Sequence, residues 1–474
     1  MSNLKPAVML LCFFSIFFSN AQENRKVSKS KPNIIYILAD DLGYGDLSCY
    51  GQEKFSTPNI DKLAKEGMLF TQHYSGAPVC APSRSALMTG QHVGHTSIRG
   101  NKGVEPEGDW PLPKATFTIA ELLKTKGYVT GAFGKWGLGF PGSHGDPLHQ
   151  GFDTFYGYNS QALAHHYFPL HLWENENKVI LTDNEGNKSG QYAPDLIHQK
   201  ALSFIEKHQK ESFFLYYASP LPHAELVAPK VYMDKFIGKY NPEKEYKAKP
   251  NNEGLKKGEY ASQPQSHAAF AAMITLLDDQ VGEIVSKIKE LGLEDNTIII
   301  FTSDNGPHQE GGADPNYFNS NGVLRGFKRD LYEGGIRVPM IAKWKGKIAA
   351  GSKTNHISAF WDVMPTLAAI NNAKIDAKID GISFLPTLLN KGNQKKHNYL
   401  YWEFHELGGR QAVRQGDWKL VKYNVNKNGI YQLYNLKNDI SEINDLSAQM
   451  PEKVAELAKL LETSRTESEV FQFK

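Results

Sequence analysis

The sequence predicts an α/β protein built on a large mixed, mainly parallel sheet sandwiched by helices, with a small C-terminal α+β domain. Three observations carry that expectation. Short apolar, β-branched runs alternate with helical patterns along most of the chain, as in strand–helix–strand units whose sheet is covered on both faces. Several of these runs stop abruptly at polar or charged residues. After about residue 390 the texture changes to closely spaced strand-like runs, turns and one helix. At 474 residues the chain accommodates two or three units of ~150 residues, or one large domain with an appendage.

Taken in order, "NIIYILADD" reads as a strand that ends on Asp40 and Asp41. Thr57-Pro58 opens a helix written through "NIDKLAKEGMLF", because proline suits a first turn whose N–H groups lack partners. In "CAPSRSALMTG", Pro82 fits a first helical position and Gly90 a stop, which places Cys80 at a helix N-terminus. Thr118 opens "IAELLKTKG", with Gly127 as its stop. "YVTGAFGKWG" and "SFFLYYASPLPH" are strands running to Lys135 and towards His223. Residues 229–266, rich in Lys, Glu, Asn, Gly and Pro, form a surface insertion, either a solvated loop or one wall of a cleft. A long amphipathic helix, "HAAFAAMITLLDDQVGEIVSKIKELG", ends at Gly292, and "NTIIIFTSDNG" is a strand ending on Asp304 and Asn305. "YLYWEF", "QAVRQGDWKLVKY" and "IYQLYNL" supply the strands of the last domain, and "PEKVAELAKLLE" its helix. The expected boundaries are 1–21, 22–390 and 391–474.

Segment 1–21 has the form of a secretory signal peptide. Lys5 precedes an apolar run over residues 7–18, and Ser19-Asn20-Ala21 provides small residues for cleavage after Ala21. The run is short for a transmembrane segment, so the expectation is export, periplasmic or secreted, with no transmembrane segment. Cleavage removes Cys12 and leaves Cys49 and Cys80, which an oxidising compartment allows to pair. The formal charge of +2 gives no global field for nucleic acid, so recognition of anions must be local.

In open α/β sheets ligands gather beyond the carboxyl ends of the strands. Asp40, Asp41, Asp304 and Asn305 bring only oxygen donors there, which suits a hard cation, Ca²⁺ or Mg²⁺. Either pair alone is equally well explained as a cap or turn. Adjacent buried aspartates repel unless a cation or protons intervene. Two readings of Cys80 are open: a low-pKa nucleophile at a helix N-terminus, or a residue converted into something else. Oxygen-rich ligation disfavours the first, because a thiolate is a soft ligand. Arg84, about one turn on, is placed to fork onto an anion or to lock residue 80.

Cys80-x-Pro82-Ser83-Arg84 followed by Met88-Thr89-Gly90 resembles the signature of the type I sulfatases, members of the alkaline-phosphatase-like superfamily. The similarity runs on through "PNIIYILADDLGYGDLSCYG", "GKWGLG", "HQGFDTFYGY", "SDNG", "GFKRDLYEGGIRVP" and "DGISFLPTL". The resemblance implies that a formylglycine-generating maturation enzyme converts Cys80 to formylglycine. It also implies that Asp40, Asp41, Asp304 and Asn305 bind Ca²⁺, with residue 80 completing the shell. The hydrated aldehyde would attack sulfur with one hydroxyl, and its second hydroxyl would later help to expel sulfate. Arg84 would orient residue 80, Lys135 and Lys328 would touch sulfate oxygens, and His223 would protonate the leaving alcohol.

One position departs from the family pattern. Many relatives read Gly-Lys-Trp-His-Leu-Gly, where the histidine deprotonates the diol, and this chain has Gly137 there. "ALAHHYFPLHLW" offers His165, His166 and His171 as replacements, with His165 preferred. Ser160, His308 and Arg410 are further substrate contacts by expectation. Export, together with Trp402, His405, Arg410 and Arg414 in the last domain, points to an extracellular sulfated carbohydrate. The glycine variant with "QGFD" resembles bacterial polysaccharide-degrading sulfatases, hence an ulvan-, carrageenan- or galactan-derived oligo- or polysaccharide. Two other functions stay open: a phosphoester or phosphonate-ester hydrolase on the same scaffold, and a non-catalytic sulfated-glycan-binding protein.

Overall fold

The computed structural model describes residues 31–248 and 260–473, together with Met1. The expected signal peptide and Cys12 therefore lie outside the described residues, as does the middle of the 229–266 insertion. In chain order the strands are β1 (Asn33–Ala39), β2 (Met68–Tyr74), β3 (Val129–Lys135), β4 (Thr154–Tyr158), β5 (His171–Glu174), β6 (Asn177–Ile180), β7 (Phe213–Ala218) and β8 (Thr297–Ser303). They continue with β9 (Arg337–Trp344), β10 (Ser352–Thr354), β11 (Ser358–Ala359), β12 (Leu400–Phe404), β13 (Arg410–Gln415), β14 (Trp418–Tyr423) and β15 (Ile430–Asn435).

An eleven-stranded sheet runs in the order β10-β2-β9-β8-β1-β7-β3-β4-β5-β6, with β11 beside β2. Its centre is parallel: Ala39 pairs with Ser303, and Leu38 and Gly134 each pair with Ala218, so β8, β1, β7 and β3 end at one level. The runs Ile34–Ile37 and Ile298–Phe301 are apolar without alternation because both faces are covered. On one face Ile35, Ile37, Leu215 and Tyr217 pack with the helices Ala193–Lys207 and Ser266–Glu290. On the other, Ile34, Tyr36, Phe214 and Tyr216 pack with residues of the helices Cys80–Thr89, Ile119–Lys124 and Val363–Ile370. Thr118 and Glu121 form a reciprocal capping box at the start of the second of these.

Two local expectations change. The helix opened by Pro58 stops at Lys65, and "MLFTQHY" is β2, antiparallel to β9. Gly67 lies between them, and a Cβ there would stand 2.4 Å from the Ala342 carbonyl oxygen, so the approach of β9 sets the boundary. Pro82 is the third residue of its helix, still within the first turn where no intrahelical N–H bond is lost.

The C-terminal part carries an antiparallel sheet, β12-β13-β14-β15. Tyr401, Val413, Leu420 and Leu433 cover Leu457 and Leu461 of the helix Pro451–Thr463. Trp402, Ala412, Val421 and Tyr434 pack against Tyr74, Trp361, Leu331 and Ile336 of the larger part. Trp402 donates its indole N–H to the Ser75 carbonyl (2.9 Å), Arg414 bonds Tyr74 and Gln72, and His405 faces Glu403. Trp402 and Arg414 thus hold the two parts together, and His405 packs within the C-terminal part against Phe473, which corrects their expected role at a carbohydrate surface. Among the described residues, no helix is long and apolar enough to cross a membrane.

Candidate active site

The strand ends converge as their register requires. Asp40 and Asp41 follow β1, Asp304 and Asn305 follow β8, and Lys135 closes β3. His223 lies in the loop after β7, Cys80 begins its helix, and Lys328 sits in a turn before β9. All are buried. Cys80 Sγ stands 3.3 Å from Asp40 Oδ1 and 3.5 Å from Lys135 Nζ. Lys135 Nζ donates to Asp40 Oδ2 (2.6 Å), and Lys328 Nζ to Asp41 Oδ2 (2.7 Å). Asn305 Nδ2 donates to Asp41 Oδ1 (2.6 Å), and the Asp41 N–H to Asp304 Oδ1 (3.0 Å).

The Cys-x-Pro-Ser-Arg stretch is built around Asp304. Ser83 donates to the Asp304 carbonyl (2.5 Å), while Arg84 Nε and Nη2 fork onto Asp304 Oδ2 at 3.0 and 2.8 Å. Arg84 Nη1 caps the Lys135 carbonyl. Arg84 thus fixes a carboxylate and the strand that carries Lys135. Cys49 and Cys80 are both free thiols, so the pairing open to them is not made. Burial, and then the Asp40 carboxylate, push the Cys80 thiol well above its ordinary value, which leaves little thiolate character.

Asp40, Asp41, Asp304 and Cys80 present ligand atoms within 4.8 Å of one another. The set fits a hard divalent cation. Its donors are oxygens apart from Sγ, and Asn305 Oδ1 is a buried acceptor that no described donor reaches. Burial, and then Asp40 beside it, push Asp304 up to about 7, the repulsion that convergent carboxylates incur.

His223 is the middle ring of a stack, with His165 at 5.0 Å and His308 at 5.4 Å between centroids. Its Nδ1 faces the Ala224 carbonyl and so carries the proton, and Nε2 accepts from Lys328 Nζ at 3.0 Å. Burial, and then Lys328, hold this imidazole well below its ordinary value. Of the three replacement histidines His165 meets the centre through its stack on His223, while His166 faces Glu225 at 3.7 Å and His171 bonds Glu107 at 2.8 Å. His308 stands behind His223, bonded to the Pro222 carbonyl and Glu310. Ser160 accepts the Leu163 N–H at 3.0 Å and shapes its own turn. Arg410 is bonded to Arg329 and Asp330.

Tyr260 borders the centre and Gln161 stands beside Gly137, neither of them expected from the sequence. Gly137 has φ +77°, and a Cβ there would lie 2.0 Å from Gln161 Nε2, so the Gln161 amide occupies the space beside Gly137. Gln161 Nε2 and both side-chain atoms of Asn159 are buried without a hydrogen-bond partner among the described residues. Asp109, pushed up to about 7 by burial, accepts the Gln161 backbone N–H at 2.7 Å. The available signal was the four-residue spacing of Gln161 and His165 in "SQALAHH". Tyr260 comes from the insertion and packs against His165 and His223, so part of that segment does form a wall of the site.

This geometry defines a hydrolase for an oxyanion ester, with buried cations and a carboxylate cluster at the carboxyl edge of a parallel sheet. The profile described as Sulfatase matches residues 32–373, and that of N-sulphoglucosamine sulphohydrolase, C-terminal, matches residues 326–468. The N-acetylgalactosamine-6-O-sulfatase of Bacteroides thetaiotaomicron is 31% identical, across 98% of this chain and 99% of that one. Human arylsulfatase A is 32% identical over 82% of this chain and 74% of its own length. The crystal structure of Ps i-CgsB in complex with k-i-k-neocarrahexaose superposes with a TM-score of 0.78 and 30% identity, covering 94% of this chain and 95% of that one. The chain belongs to the sulfatase family, in the alkaline-phosphatase-like superfamily, and is a sulfuric ester hydrolase.

Proposed function

We propose that the enzyme removes sulfate from an extracellular sulfated carbohydrate, an ulvan-, carrageenan- or galactan-derived chain. It would act after export, cleavage behind Ala21 and conversion of Cys80 to formylglycine by a maturation enzyme. The observation that carries this reading is the convergence of Lys135, Lys328 and His223 on the carboxylate cluster beside Cys80. The carbohydrate class is supported by the similarity to an N-acetylgalactosamine-6-O-sulfatase and to a structure in complex with neocarrahexaose. We further propose residues 22–390 as the catalytic domain and 391–474 as the C-terminal one.

Asp40, Asp41, Asp304 and Asn305 would hold Ca²⁺, or Mg²⁺. When present, the cation and the hydrated aldehyde supply charge neutralisation on the sulfate and a diol nucleophile. Lys135 and Lys328 bind sulfate oxygens from two sides, where low dielectric strengthens each charge. His223 would protonate the departing alcohol from Nε2, the atom that here accepts from Lys328 and so must first take up a proton. Arg84 keeps Asp304 and the Lys135 strand in place. Gln161 beside Gly137, and His165 stacked on His223, would border the place where the sugar lies.

The test is the mass of the proteolytic peptide ending at Arg84, followed by sulfate release from a panel of sulfated oligosaccharides. The aldehyde or its hydrate at residue 80, with sulfate released, is the expected outcome. Greater phosphate than sulfate release from matched aryl esters would favour the phosphoester hydrolase. An intact thiol with glycan binding and no turnover would favour the binding protein.

A further inference from the structure

Lys328 reaches Asp41 and His223 from a tight turn over residues 326–330, and that turn has an unfavourable backbone shape. Arg329 has φ +78°, in the left-handed region that side chains other than glycine rarely adopt. Two backbone bonds tie the turn to the catalytic centre. The Lys328 N–H donates to the Pro307 carbonyl, and the Arg329 N–H to the Pro78 carbonyl, two residues before Cys80, both at 2.9 Å. Asp330 closes the turn, its Oδ2 accepting the Phe327 N–H at 3.1 Å.

Arg329 Nη1 also pairs with Glu310, and a further anchor comes from the C-terminal sheet. Arg410, the first residue of β13, donates from Nη1 to the Arg329 carbonyl and to Asp330 Oδ1 (2.6 Å). Its guanidinium carbon lies 4.9 Å from the Tyr423 ring centroid, and its side chain is only 14% exposed. One arginine therefore holds both the carbonyl of the left-handed residue and the carboxylate that closes the turn. If that hold is lost, the two backbone bonds and the Arg329–Glu310 pair remain, but nothing holds the Arg329 carbonyl or Asp330 Oδ1 from the C-terminal side, so the left-handed turn relaxes more readily and Lys328 Nζ shifts from its place between Asp41 and His223.

We infer that Arg410 is a positioning residue, through which the C-terminal sheet sets the Lys328 ammonium in the active site. This replaces its expected role as a substrate contact, and it rests on the reading of Lys328 as a sulfate-binding group.

The test compares Arg410→Ala, Lys328→Ala, Arg329→Gly and the double variants of Arg410→Ala in matured, folded enzyme. The readouts are kcat, KM and the direct binding of inorganic sulfate. Arg410→Ala should lower kcat by about 10²-fold, the scale for a catalytic group misplaced from a distance, and should weaken sulfate binding. In the Lys328→Ala background it should add little, since both changes remove one contact. Arg329→Gly should bring the Arg410→Ala protein back to the level of Arg329→Gly alone, because glycine takes positive φ without strain. Unchanged kcat with raised KM for oligosaccharide only would make Arg410 a sugar contact and overturn the inference. So would a loss additive with Lys328→Ala, or one that glycine at 329 does not restore. If Lys328→Ala leaves sulfate binding and kcat intact, the sulfate-binding reading itself fails, a result distinct from a silent Arg410→Ala.

Discussion

The imidazole planes of His165 and His223 lie 5° apart with centroids 5.0 Å apart. Two imidazolium ions in that arrangement would repel, so the stack favours at most one charge. It also fixes the plane of His223, so that Nε2 faces Lys328.

His223→Ala should therefore lower kcat by 10²–10⁴-fold on a sugar sulfate, the range for a lost general acid. The loss should be much smaller on an aryl sulfate with a good leaving group, which needs little protonation. His165→Ala should cost less on both. Steady-state kinetics with the two substrate types checks this, and equal losses on both would remove His223 from the role of proton donor.

A divalent cation held by the carboxylate cluster should make stability depend on that cation. A ligand that binds only the folded protein stabilises by about 2.7 kcal/mol at 100 times its Kd. Calorimetry of chelator-treated protein should show a lower Tm that Ca²⁺ restores, and Asp304→Ala should abolish the response. An unchanged Tm on adding Ca²⁺ or Mg²⁺ would argue against a resident cation.

At Gly137 two constraints coincide, a φ of +77° and the Gln161 amide 2.0 Å from the Cβ position. Gly137→Ala should destabilise by about 1–3 kcal/mol, the cost of forcing a side chain into that backbone region. Adding Gln161→Ala should recover the steric part and leave the backbone part. Urea denaturation of the three variants measures both. Full recovery would show that the contact alone matters.

Glu403 predicts an acid limb. Burial alone would raise its carboxyl, but His405, Arg465 and Arg99 hold it at about 2. The folded value lies below the unfolded ~4.3, so this stability is present above about pH 4.3 and is lost as pH falls towards 2. Two units correspond to about 3 kcal/mol. Because Arg99 belongs to the larger part and Glu403 to β12, the C-terminal sheet should loosen first. Glu403→Gln should flatten the fall in Tm between about pH 4.5 and 2.5, and an unchanged slope would count against the pairing.

Much of the centre was legible in the chain because strand ends are local events. Unbroken apolar runs such as "NIIYILA" and "TIIIF" stop at Asp40 and Asp304, and a parallel sheet delivers such ends to one edge. The Cys-Pro-Ser-Arg stretch likewise announced a helix start at residue 80. Nothing local marked "MLFTQHY" as a strand, since its period differs little from a helical one until β9 is beside it.

The sequence by itself determined the fold class, the strands that end at the site and the residues they carry there, because periodicity and caps act over a few positions. Only the tertiary structure decided which histidine meets His223, that Gln161 stands beside Gly137, that Tyr260 enters from the insertion, and that Arg410 holds the Lys328 turn. Those contacts join residues far apart in the chain, and their geometry is set by packing of whole layers, which leaves no short-range pattern to read.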